Sequence, residues 1–158
     1  MCEIDRRRQS GIVPAAQEAG GLTLSFKEMK EMINLKIQES AEMYLETILV
    51  LSQRNPSVRS IDIASELDYT KPSVSVAMKN LRENGYINMD ADGYITLTVK
   101  GKEIAETMYE RHTFLSDWLI RLGVDQTTAV EDACRMEHVI SADSFDAIKR
   151  HITGIENS

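Results

Sequence analysis

The sequence predicts a mainly α-helical chain with one small β-hairpin, and three observations predict it. Apolar residues recur at helical spacing over most of the chain from about residue 36 onward. Two short helical patterns follow one another across a polar break at Asp68-Tyr69-Thr70. One stretch, 86–97, instead reads as two short strands around a glycine-containing turn.

The elements follow in order. Residues 1 to about 26 mix Arg6-Arg7-Arg8, Gly11, Pro14 and Gly20-Gly21 with small residues and hold no sustained period, so 1–33 is expected to be a flexible extension. Continuous helix is expected from near Lys36, with Tyr44, Leu45, Ile48 and Leu51 as its apolar stripe, ending before Asn55-Pro56. Ser60 is the expected N-cap of the next helix, whose inward residues are Ile61, Ala64 and Leu67. Thr70 caps a third helix, Pro72 occupies its first turn where a missing N–H costs nothing, and Val74, Met78 and Leu81 face inward before Asn84-Gly85 closes it. Two short helices joined by a tight turn form a helix-turn-helix, and the hairpin of 86–89 and 94–97 behind them is its wing. A long helix over about 100–122 carries Ile104, Met108, Leu115, Leu119 and Leu122 on one face, with Gly123 as its stop. Two more helices follow, about 125–140 and 144–152. The expected organisation is thus a winged helix-turn-helix domain over 34–100 and a second, helical domain over 101–158.

Bulk properties exclude several classes of function. No apolar run approaches the roughly 20 residues needed to span a bilayer, and the start lacks the apolar core of a signal peptide, so a cytoplasmic protein with no membrane partner is expected. Two cysteines, Cys2 and Cys134, do not make a disulfide framework in a chain of 158 residues, which leaves Cys134 as a buried thiol or a ligand. The net charge of -7 opposes nucleic-acid binding at first sight, because phosphate contacts supply much of that affinity. Its distribution weakens the objection. Residues 1–53 hold 6 bases and 8 acids, 54–102 hold 7 and 6, and 103–158 hold 5 and 11, so only the helix-turn-helix segment is net basic.

The chemistry sits on the helix after Asp125. Val130, Ala133, Cys134 and Ser141 share a narrow arc at 100° per residue; Glu137 falls inside it and His138 on its edge. A carboxylate on a buried stripe requires a cation, a metal or a raised pKa. Cys134, Glu137 and His138 are offset by three and four, which lets them converge. His112 lies in line with the buried stripe of the long helix, and Met43 and Glu46 lie three apart beside the stripe of the first. Singly, each has an ordinary explanation as a packed or solvated side chain. Together they give sulfur, nitrogen and oxygen donors on three helices, which one divalent ion would account for. The spacing is neither that of a zinc finger nor the H-E-x-x-H of zinc proteases.

The runs E-M-Y-L-E-T-I from Glu42, K-P-S-V-S from Lys71, R-H at Arg111-His112 and E-D-A-C-R-M-E-H-V from Glu131 resemble the diphtheria-toxin-repressor family of iron- and manganese-dependent repressors, over roughly residues 35–153. The resemblance implies a metal-dependent transcriptional repressor that is not an enzyme. It implies a homodimer on a palindromic double-stranded DNA operator, controlling metal homeostasis genes, with Fe(II) or Mn(II) as co-repressor; Zn(II), Ni(II) or Co(II) would compete in vitro. It implies metal ligation by Met43, Cys134, Glu137 and His138, as in the iron-responsive branch, with Glu46 and His112 matching ligands of the manganese-responsive branch. The ancillary site of the iron branch is not matched at Ser116 and Val130. The chain stops near where the short, two-domain members stop. Thr70, Lys71, Pro72, Ser73, Ser75 and Val76 are expected to enter the major groove, with Lys79, Arg82 and the wing on phosphates. The rival readings are a winged-helix regulator of a small organic ligand, as in multiple-antibiotic-resistance-type repressors, and a helical metalloenzyme.

Overall fold

The structure, a computed structural model, describes residues 25–156. The extension expected over 1–33 lies outside the described residues as far as 24, and its remainder belongs to the first helix. α1 (Phe26–Arg54) begins earlier than the continuous pattern near Lys36, because Ser25 and Glu28 form a capping box. Ser25 Oγ accepts from Glu28 N at 3.2 Å, and the Glu28 carboxylate accepts from Ser25 N at 2.6 Å. Its second half carries the expected stripe, with Tyr44, Leu45, Ile48 and Leu51 all buried.

α2 (Ser60–Leu67) differs from expectation in phase. Ser60 is the first helical residue rather than the cap, and the Asp62 carboxylate accepts from Arg59 N at 2.7 Å. Ile61 points outward, 49% exposed, and Ile63 takes the core position beside Ala64 and Leu67. α3 (Lys71–Glu83) starts as expected at Thr70, whose Oγ1 accepts from Ser73 N, and buries Val74, Met78 and Leu81. β1 (Ile87–Met89) and β2 (Ile95–Leu97) pair antiparallel, Ile87 opposite Leu97 and Met89 opposite Ile95. Asp90 Oδ1 closes their turn by accepting from Asp92 N and Tyr94 N. Ile95 N donates to Val58 O at 2.8 Å, which stitches the wing to the segment before α2.

The strands are one residue shorter than expected because Tyr86 is engaged elsewhere: its carbonyl accepts from Thr98 N and Thr98 Oγ1, both at 3.0 Å. Thr98 also caps α4 (Val99–Arg121), its Oγ1 accepting from Gly101 N. Gly101 lies so close to the Tyr86 carbonyl that a Cβ built there would meet its oxygen at 2.0 Å. Leu122, expected on the apolar face of this helix, is 63% exposed, because the helix has ended and the chain turns at Gly123. α5 (Gln126–Val139) starts at Asp125, whose Oδ1 accepts from Thr127 N and Thr128 N, and α6 (Ala142–Glu156) closes the chain.

Two apolar clusters result. The larger gathers α1, α2, α3, the hairpin and Ala105 of α4; the smaller joins Leu115 of α4, Ala133 of α5 and Phe145 of α6, with Phe145 edge-on to Phe114. α4 contributes to both and is the beam between them. It packs along α1 on one side and α5 on the other, and the candidate site lies where these three helices meet. No helix among the described residues is long and apolar enough to cross a membrane.

Candidate metal centre

Glu137 is the only acidic or basic side chain (Asp, Glu, Lys, Arg or His) that is buried among the described residues. Its placement follows from the periodicity of α5, which buries Ala129, Ala133 and Cys134 on the same face. His112 Nδ1 donates to Glu137 Oε2 at 2.8 Å, across from α4. The other oxygen, Oε1, has no hydrogen-bond partner among the described residues and lies 3.3 Å from His138 Nε2. A buried carboxylate oxygen left in this way costs free energy of order a few kcal/mol unless something positive completes it.

The surrounding donors suit such a completion. One ligand atom from each of His112, Cys134 and Glu137 lies within 4.8 Å of the others. Met43, Glu46, His112 and Cys134 together line a cavity of about 300 Å³ between α1, α4 and α5, with Gln53 and Tyr109 also in its wall. Met43 Sδ also receives a long contact, 3.7 Å, from the Tyr69 hydroxyl. All six residues expected to hold a metal therefore border one junction: Met43 and Glu46 from α1, His112 from α4, Cys134, Glu137 and His138 from α5. Cys134, expected as a buried thiol or a ligand, is disulfide-bonded in this structure, so its sulfur can serve as a ligand only once that bond is reduced. With it reduced, two sulfurs, two imidazoles and two carboxylates fit a divalent transition metal better than they fit calcium or magnesium, which take oxygen alone. A larger groove of about 830 Å³, between α1 and α3, contains none of the six.

The electrostatics agree with the crowding. Burial, and then the Glu137 carboxylate beside it, push the Glu46 carboxyl up to about 7. Burial alone would lower both histidines; the hydrogen bond and charge of Glu137 hold His112 above its ordinary value, and Glu42 with Glu137 does the same for His138. Protons are thus retained near neutrality by groups that would have to release them to bind a metal.

Sequence reasoning missed three residues at this junction. Glu42 Oε2 accepts from His138 Nδ1 at 3.0 Å, and Gln38 Nε2 donates to Glu42 Oε1 at 3.0 Å. Arg111 Nη1 donates to the carbonyls of Glu137 and Ile140, tying the end of α5 to α4. The Gln38 to Glu42 spacing of four was a readable helical pair; the contacts to α5 span 96 and 26 to 29 residues and have no local signature.

Away from the junction, Thr70, Lys71, Pro72, Ser73, Ser75, Val76, Lys79 and Arg82 are all exposed, on α3 and its cap. Val76 stands outward at 61% exposure, as contact with a thymine methyl requires. The i,i+4 pair of Lys79 with Glu83, at 3.8 Å, is fully on the surface and restrains the lysine little.

Comparison with known proteins bears on both regions. A family model described as the iron dependent repressor N-terminal DNA binding domain matches residues 36–95, and one described as the iron dependent repressor metal binding and dimerisation domain matches 98–157. An uncharacterized HTH-type transcriptional regulator of Methanocaldococcus jannaschii is 33% identical over 115 residues, covering 72% of this chain and 92% of that protein. The transcriptional regulator MntR of Escherichia coli O157:H7 is 32% identical over 112 residues, 71% of this chain and 72% of that one. The structure of the manganese regulator SloR superposes with a TM-score of 0.65 at 25% identity, over 72% of this chain and 53% of that one, so the chain spans about half of its length.

Proposed function

The chain belongs to the iron-dependent, diphtheria-toxin-repressor family of metal-dependent transcriptional repressors, and on that premise we propose that Fe(II) or Mn(II) is its co-repressor, held by Met43, Glu46, His112, Cys134, Glu137 and His138. It is a regulator and not an enzyme, as its family and relatives are. The observation that carries the reading is the buried Glu137 with one oxygen unpartnered among the described residues and two more donors, His112 and Cys134, around it.

A divalent cation supplies a positive centre that donors from α1, α4 and α5 share when it is bound. The chain's own residues do the rest. Met43 and Glu46 belong to the helix that underlies the winged helix-turn-helix, whereas Cys134, Glu137 and His138 belong to the second domain, so their common ligation fixes one domain against the other. A bias of a few kcal/mol toward one arrangement is enough to change operator occupancy substantially. Thioether and thiolate donors favour Fe(II) over Mn(II), and Irving–Williams ordering makes Zn(II), Ni(II) or Co(II) competent substitutes in vitro.

In this reading α3 enters the major groove with Thr70, Lys71, Pro72, Ser73, Ser75 and Val76, while Lys79 and Arg82 meet phosphates. Short hydroxyl and apolar side chains make few bidentate base contacts, so part of the specificity comes from DNA shape. A homodimer formed through the second domain would present two such helices to a palindromic operator; the exposed Ile120 and Leu122 at the end of α4 offer apolar surface for it.

The test is anaerobic. Duplex DNA selected from a random library in the presence of Fe(II) or Mn(II), under reductant so that Cys134 is available as thiolate, is measured by fluorescence anisotropy with metal and with chelator. Affinity is expected to rise with metal and collapse with chelator; equal affinity in both would discard the reading.

A further inference from the structure

The junction contains a carboxylate that none of the expected ligands includes. Glu42 adjoins Met43 on α1, is largely buried with 14% of its side chain exposed, and is held at both oxygens: Oε1 by Gln38 Nε2 and Oε2 by His138 Nδ1, each at 3.0 Å. The two nitrogens of His138 thus have different surroundings. Nδ1 faces Glu42, and Nε2 faces the unpartnered Oε1 of Glu137 at 3.3 Å. A carboxylate can only accept, so Nδ1 carries the hydrogen, and in the neutral ring the lone pair is left on Nε2.

From this geometry we infer that Glu42 is a positioning residue for the metal centre: it fixes the tautomer and ring orientation of His138 so that Nε2 is presented beside Glu137, and does so from the helix of the opposite domain. The inference rests on the reading of these donors as a metal site. A metal-ligating histidine commonly donates its other N–H to a carboxylate, which raises its basicity and orders the ring. Here that carboxylate comes from α1 while the histidine belongs to α5. The pair is consequently a second tie between the domains, beside the direct ligands Met43 and Glu46. Gln38 restrains Glu42 from the preceding turn, so the orientation is set before any cation arrives.

The test uses the full chain under reductant, with E42A, E42Q and H138A alongside. Mn(II) affinity is read from the EPR signal of the free ion, and the His138 tautomer from long-range nitrogen–proton NMR of the metal-free protein, above the titration of the ring. E42A should lose roughly 10–100-fold in Mn(II) affinity and show His138 with its hydrogen distributed between the two nitrogens. E42Q, whose amide oxygen still accepts from Nδ1, should keep the tautomer and lose less affinity. E42A binding Mn(II) within twofold of the unaltered chain, or keeping the hydrogen wholly on Nδ1, would overturn the inference. H138A separates the two levels: weak binding by H138A with normal binding by E42A rejects Glu42 alone, whereas normal binding by both rejects the metal reading of His138 itself.

Discussion

The winged helix-turn-helix and the helical junction below it are stabilised by different means. The first buries Ile48, Ile63, Val74, Met78 and Ile87 in an apolar cluster without one buried charge, and closes its helices and turn with Ser25, Thr70, Asp90 and Thr98. The junction buries Glu137 and crowds Glu42, Glu46, His112 and His138 around it. Apolar burial is stabilising without any bound partner, whereas a buried carboxylate needs a positive partner or a proton. Under the proposed function, an apolar reading domain has been joined to a contact whose stability would depend on a dissolved cation.

The comparison can be broken most forcefully in the apolar half. Met78→Ala empties a fully buried site and is expected to cost about 2–5 kcal/mol, with the same drop in melting temperature whether Mn(II) or chelator is present. A drop that depends on metal would show that the two halves do not stand apart.

Glu137→Gln should do the opposite. It keeps an oxygen for the His112 N–H but removes the charge, so Mn(II) affinity is expected to fall by more than the roughly 10–100-fold typical of a partner that only orients a ligand, while the melting temperature of the metal-free protein holds or rises. Calorimetry with and without metal checks both halves of that statement.

Acidity sharpens the contrast next. Glu46, His112 and His138 all bind protons more tightly in the folded chain than in the unfolded one. Over the range where the unfolded groups have lost their protons and the folded ones have not, unfolding releases protons, and stability falls as pH rises. For Glu46 the window runs from its ordinary value of 4.5 to about 7. The metal-free protein should therefore melt several degrees higher near pH 6 than near pH 8, and Glu46→Gln should flatten that slope; a melting temperature that rises over this range would contradict it. Metal binding should release protons in the same window.

The smallest effect belongs to the reading surface. Lys79→Ala should weaken binding several-fold on all duplex sequences alike and lower the salt slope of affinity by about 1. A loss confined to one sequence would make Lys79 a base reader.

Much of this was legible in the residues. Thr70 followed by Pro72, the Asp-Gly turn of the wing and the long stripe of α4 each fix a boundary by local chemistry, and they lie where expected. α2 was misphased because eight residues offer two apolar stripes; packing against α1 and α3 selects Ile63 over Ile61, and no local property distinguishes them. The start of α1 was missed because its first half turns Phe26, Ile33 and Ile37 to the surface, so no burial period announces it, although Ser25 and Glu28 were there to be read. At the junction, the three donors of α5 were legible as spacing on one helix. Their partners were legible only as residue types, since His112 meets Glu137 across 25 residues and Glu42 meets His138 across 96. Helical periodicity says which way a side chain faces, and it is silent on which other helix it will face.

The seam at Gly101 bears on how the molecule changes shape. With the Tyr86 carbonyl lodged where a methyl group would otherwise be, and Thr98 clasping the same carbonyl, the hairpin and the start of α4 turn as one piece. No joint is left between wing and beam. What ties α1 to the far part of α4 and to α5 is therefore the packing along α4 and the Glu42 to His138 contact, the same place where the ionisable groups gather.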